Sequence, residues 1–150
     1  MTSKKSTAIG ITNSYSVENT SSYIGKNWKS INYSDTWSAI SVSDTGKFMT
    51  AVTKNGPIYV SFNYGSNWQT IDINYNWSYV DMSVNGQYQA ACVNGGIIFV
   101  SSDYGVSWIK QNVPIKNWIN IAVSGDGSSI YAITDTGLIY KTSNYSTAWY

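Results

Sequence analysis

The chain has 150 residues and a formal net charge of +1, enough length for one domain with a core and no basic field to attract phosphate backbones, so nucleic acid is not an expected partner. All nine basic residues are lysines; without arginine or histidine the chain lacks the bidentate anion clamp, the usual general base and the commonest metal ligand. The lone Cys92 excludes an internal disulfide framework, no apolar run approaches the roughly 18 residues of a membrane span, and no apolar segment follows Lys4 and Lys5 to make a signal peptide, so a cytoplasmic protein is the default expectation.

Residues 1–36 read as a degenerate start. Ala8–Thr12 and Tyr15–Asn19 have strand character, divided by the polar pair Asn13 and Ser14, and Trp28–Ile31 is a further short strand. From Trp37 a fixed grammar sets in. Trp37–Ser43 alternates apolar and polar residues, and Trp77–Ser83 and Trp118–Ser124 repeat it. Ile40, Val80 and Ile121 therefore share one position, and Val42, Met82 and Val123 another, all expected on the buried face of a half-buried strand. Tight turns follow at Asp44–Gly46, Val84–Gly86 and Gly125–Gly127, where Asx-Gly chemistry marks hairpins.

The second strands are Phe48–Val52, Tyr88–Cys92 and Ile130–Ile133; Cys92 aligns with Val52 and Ile133 and reads as a small buried hydrophobe. Turns at Lys54–Gly56, Asn94–Gly96 and Asp135–Gly137 lead to third strands at Ile58–Val60, Ile98–Val100 and Ile139–Lys141. An eight-residue box comes next, and its tryptophan opens a fourth strand at Trp68–Ile71 and Trp108–Gln111.

The box tryptophans Trp28, Trp68, Trp108 and Trp149 are spaced by 40, 40 and 41 residues, and Trp37, Trp77 and Trp118 keep the same step. Four short antiparallel strands per step of about 40 residues make one blade of a β-propeller. The expectation is an all-β propeller or propeller segment, 1–150 as a single domain with about three to four blades. The blades are 37–76, 77–117 and 118–150, the last without its fourth strand.

The box itself is Ser101, Asp103, Gly105 and Trp108 in the pattern Ser-x-Asp-x-Gly-x-x-Trp; Ser61, Asn63, Gly65 and Trp68 repeat it with Asn for Asp. A weaker copy keeps Asn144 and Trp149, and residues 21–28 keep Ser, Gly and Trp. This pattern resembles the Asp-box, or BNR repeat, of sialidases and sortilin-type propellers. The resemblance implies a scaffold role for these residues, with the box on the propeller rim away from the ligand face. The chemistry agrees: a short acceptor binds the amides of its own turn, Gly admits left-handed backbone, and Trp packs on the sheet.

Three blades leave open edges, which are costly to expose. The leading expectation is a homo-oligomer, a dimer or higher, in which Trp28–Ile31 completes the C-terminal blade of another copy; a compact four-bladed monomer using residues 8–31 is the runner-up, and a chain that is one piece of a longer propeller is the other alternative.

The resemblance to sialidases does not extend to their arginine triad, and the eight acids are mostly in turns; only Asp72 and Asp81 are candidates to meet across a loop. No catalytic residue, metal or cofactor is therefore assigned. Binding is the class that remains. Tyr33, Asp35 and Trp37, then Tyr75, Asn76 and Trp77, then Asn117 and Trp118 lie where one blade passes to the next, a connection that opens near the axis in propellers. Aromatic faces beside amides suit peptides or sugar rings. The expectation is a non-enzymatic binding or protein-interaction scaffold, with a lectin-like carbohydrate binder as alternative and a degenerate glycoside hydrolase behind both.

Overall fold

In a computed structural model of the chain, the residues described are Ser30, 34–143 and Trp149. The strands expected at Ala8–Thr12, Tyr15–Asn19 and Trp28–Ile31, the box at 21–28, and the site residues Tyr33 and Asn144 lie outside the described residues. Contacts divide the chain into two units, Met1–Tyr33 and Ser34–Tyr150, and everything below concerns the second.

That unit is all-β, eleven strands among the described residues. The first blade is β1 (Trp37–Val42), β2 (Met49–Thr53), β3 (Gly56–Ser61) and β4 (Gln69–Tyr75), hydrogen-bonded in that order. The second is β5 (Trp77–Met82), β6 (Gln89–Gly96), β7 (Ile98–Ser101) and the two-residue β8 (Ile109–Lys110). The third is β9 (Lys116–Val123), β10 (Ser129–Thr134) and β11 (Ile139–Ser143). All pairs are antiparallel, as hairpin connections require. Two short bridges tie a blade's central hairpin to the strand at its border: Gly56 with Tyr75 in the first blade, and Asn94 and Gly96 with Asn117 and Lys116 of the third. The strands follow the expected grammar with shifted ends: β4 runs on from Ile71 to Tyr75, β6 runs through the expected turn at Asn94–Gly96, β9 begins at Lys116 and not at Trp118, and β8 is shorter than Trp108–Gln111.

The core forms where consecutive blades lie face to face, through Val52, Ile58, Val80, Cys92, Ile98 and Ile121 among others. Every blade sets its leading tryptophan edge-on to an aromatic of its own third strand, 22 residues later. The ring centroids are 5.0 Å apart for Trp37 and Tyr59, 5.2 Å for Trp77 and Phe99, and 5.0 Å for Trp118 and Tyr140. The indole N–H then reaches back to the preceding blade: Trp77 Nε1 donates to Gly56 O at 3.1 Å and Trp118 Nε1 to Gly96 O at 3.1 Å. The tryptophan is thus a wedge that joins two blades. The bond satisfies the indole N–H as the ring enters the core.

Backbone bonds between the first turns repeat the same step. Asp44 N donates to Val84 O, and Val84 N to Gly125 O, each at 2.9 Å. Asp81 adds a side-chain tie, accepting from Ser41 Oγ of the first blade and from Val123 N of the third.

One expectation is corrected. Val80, Met82 and Ile121 are buried and Val123 is half-buried, but Ile40 and Val42 at the same positions are exposed. The second and third blades have a preceding blade to cover that face; among the described residues the first has none.

Candidate functional site

The first two strands of every blade slip by one residue just after the tryptophan. Trp37 and Ala39 face Thr53 and Val52, Trp77 and Tyr79 face Val93 and Cys92, and Trp118 and Asn120 face Thr134 and Ile133. Ser38, Ser78 and Ile119 are the extra residues. A bulge of this kind leaves one residue out of the ladder and re-aims its side chain. All three line a cleft of about 410 Å3 together with Lys54, Asn76, Trp77 and Asn94. The three blades thus contribute the same structural position to one concavity.

The remaining walls follow from hairpin geometry. The turn between a blade's second and third strands sits at the end where its first strand begins, so Lys54 and Asn94 come beside Ser38 and Ser78. Backbone bonds fix this: Lys54 N donates to Thr36 O at 2.8 Å and Asn94 N to Asn76 O at 2.9 Å. Hydroxyls run along the floor, with Ser38 Oγ donating to Ser78 O and Ser78 Oγ to Cys92 O, both at 3.1 Å. No carboxylate lines the cleft. Cys92 lies behind Ser78, and burial pushes its thiol up to about 11, so it is an inert core group.

Of the residues expected to contact ligand, Asn76 and Trp77 line the cleft. The Trp77 and Trp118 rings are buried and leave no open face for stacking. Tyr75 is 40% exposed, with its ring against Trp77 and Phe99. Trp37 is partly exposed over Tyr59, whose hydroxyl donates to Asp35 at 2.8 Å. The Thr36 amide, then Tyr59, hold the Asp35 carboxyl below its ordinary value, and Asp35 raises the Tyr59 phenol in turn. Asn117 Nδ2 donates to Asp135 at 2.8 Å, an analogous tie in the third blade. Ser38, Lys54, Ser78, Asn94 and Ile119 were not anticipated as site residues.

Asp72 and Asp81, the candidates to meet across a loop, are held by different partners. Asp72 sits on β4, at the far edge of its sheet, and binds Asn74; Asp81 sits on β5, next to β1 and β9, and binds Ser41 and Val123.

The boxes build closed turns with little left to offer a ligand. In the second blade Gly105 N donates to Ser101 Oγ, Ser101 Oγ and Ser107 N donate to Asp103 Oδ1, and Trp108 Nε1 donates to Gly105 O at 2.9 Å. Burial pushes the Asp103 carboxyl up, but the Ser107 hydroxyl and amide, with Ser101, bring it below its usual value. In the first blade Asn63 makes the corresponding bonds from Ser61 and Asn67 N, and Trp68 Nε1 donates to Gly65 O. Tyr64 and Tyr104 adopt φ of 60° and 65° within these turns. Trp149 packs against the core.

Comparison with known proteins gives the class. The BNR-Asp box repeat matches residues 98–111, the third strand and box of the second blade. No curated protein matches the chain. A structure of YCF48 bound to D1 peptide is similar with a TM-score of 0.67 at 21% identity, over 77% of this chain and 40% of that one. YCF48 from Cyanidioschyzon merolae gives 0.66 at 19% identity, over 81% and 38%. A GH74 enzyme of Niastella koreensis gives 0.62 at 16% identity, over 76% and 17%. The chain covers 40% or less of each of these proteins. These likenesses carry the fold: the chain is a run of β-propeller blades, with an Asp-box repeat at residues 98–111.

Proposed function

We propose that the chain is a non-enzymatic binding scaffold whose bulge-lined cleft takes an extended, acidic peptide segment. The observation that carries this reading is the makeup of the cleft. Ser38, Asn76, Ser78 and Asn94 supply amide and hydroxyl groups matched to a peptide backbone, Lys54 supplies one cation, and Ile119 an apolar contact. No carboxylate, arginine or histidine lines the cleft to act in general acid–base chemistry. Four of the aspartates are engaged elsewhere, Asp81 between blades and Asp103, Asp126 and Asp135 in turns or loops. A protein of this fold, YCF48, is found with a peptide, which lends support.

A lectin-like reading is second, and Tyr75 favours it: a partly exposed ring beside Asn74 and Asn76 at the cleft border.

Selection from a random peptide library on the immobilised chain tests the proposal. Acidic peptides should enrich, and Lys54→Glu should weaken them at least tenfold, about 1.4 kcal/mol. Absence of any enriched peptide, together with glycan binding that Tyr75→Ala abolishes, would transfer the assignment to the lectin reading.

A further inference from the structure

The two end faces of the described blades are unlike each other and complementary. On the third blade, Tyr131, Ile133 and Ile139 are exposed, Ile139 to 70%. Their equivalents are Thr50, Val52 and Ile58 in the first blade and Ala90, Cys92 and Ile98 in the second, all at 0% because the next blade covers them. On the first blade, Ile40 is 63% exposed where Val80 and Ile121 are buried under the blade before. So among the described residues one face has no following blade and the other no preceding one.

The polar groups match in the same sense. Trp77 and Trp118 each give their N–H to the glycine carbonyl of the preceding blade, at Gly56 and Gly96. Gly137 holds the same place in the third blade's sequence, with a left-handed φ of 82° that Gly56 and Gly96 do not share, and a Cβ built on it meets nothing within 4 Å. Trp37 is the tryptophan that no described blade precedes. The backbone chain from Asp44 to Val84 to Gly125 likewise ends on a third-blade amide whose next acceptor would be a first-turn carbonyl such as that of Asp44.

We propose that a second copy of this chain seats its first blade on the third blade of the first copy, head to tail, repeating the contact between consecutive blades within the chain. Trp37 of one copy then lies against the 135–137 turn of the other, and Ile40 and Val42 cover Ile133 and Ile139. The occupant is argued from continuity: the two internal seams already show this surface binding that one, twice, with the same tryptophan-to-carbonyl bond. An interface of this kind is heterologous, and it closes into a ring when the rotation per copy divides a full turn.

Sedimentation or light scattering across a dilution series tests it, with Ile40→Asp and Ile139→Asp as probes. Both sites are exposed in the single chain, so both variants should keep the wild-type circular dichroism and melting of the monomer. The wild type should run as a multiple of 16.6 kDa that dissociates on dilution. Each single variant should be monomeric, because every head-to-tail contact then has one charged face. An equimolar mixture of the two should recover a species of two chains, joined through the intact pair of faces. A wild type that is monomeric at all concentrations overturns the proposal, as does an Ile40→Asp variant that still associates as strongly as wild type.

Discussion

Trp37 and Trp77 occupy the same position in consecutive blades but do different amounts of structural work, and truncating each to alanine measures the difference. Trp77 is 1% exposed, and Trp37 39%. Removing a fully buried tryptophan costs about 3–5 kcal/mol through lost transfer energy and the cavity left behind. At Trp77 the change also strips the Gly56 carbonyl of its donor, adding about 1 kcal/mol. At Trp37 water already reaches over a third of the ring, and relaxation into solvent is easy, so about 2 kcal/mol is expected by scaling the same transfer cost. The two variants should therefore differ by about 2–4 kcal/mol, a factor of about 30–900 in the folding equilibrium. Urea unfolding followed by far-ultraviolet circular dichroism, at a concentration low enough to hold the chain as a monomer, reads this directly. The dependence on urea should keep its slope while the midpoint moves. Equal losses at the two positions would refute the wedge role, since they would mean that contact with the preceding blade contributes nothing.

Three further outcomes are expected. Gly105→Ala should cost more than Gly137→Ala: both have left-handed φ, 87° and 82°, worth about 1–2 kcal/mol each, but only at Gly105 would the new methyl press on Val60 and Gln89. Comparison of their urea midpoints checks this. Asp126 accepts from the Ser124 hydroxyl and from the Ser128 amide and hydroxyl, which lower its carboxyl to about 2. A depressed folded-state value means that its contribution is present above the unfolded value near 4 and lost as pH falls from about 4 to about 2; Asp126→Asn should flatten the acid unfolding curve in that window, and a carboxyl resonance titrating near 4 would contradict it. Cys92, raised to about 11 by burial, should resist a thiol reagent at pH 8 in the folded chain and react at once in urea.

The fold was legible because the tryptophans, glycines and alternating strands repeat at one step, and each repeat carries its own turn chemistry. The bulge was legible too, though only in a parity. Trp77 and Val80 are both core residues three apart, where strict alternation would put them on opposite faces, so an extra residue must lie between them. That parity leaves two candidates in each blade; the strand register selects Ser38, Ser78 and Ile119, and hairpin geometry then adds Lys54 and Asn94. The recurrence of Trp77 and Trp118 instead drew attention to rings that the core uses. The exposure of Ile40 and Val42 was out of reach, since burial at a repeat's end depends on what stands beyond it and local pattern is silent there.

The peptide cleft is tested most directly by amide chemical shifts of the labelled chain during titration with an enriched acidic peptide. Saturable shifts confined to Ser38, Lys54, Ser78, Asn94, Ile119 and their neighbours are the predicted result. Shifts centred instead on the boxes at 61–68 and 101–108, with the cleft unmoved, would contradict it.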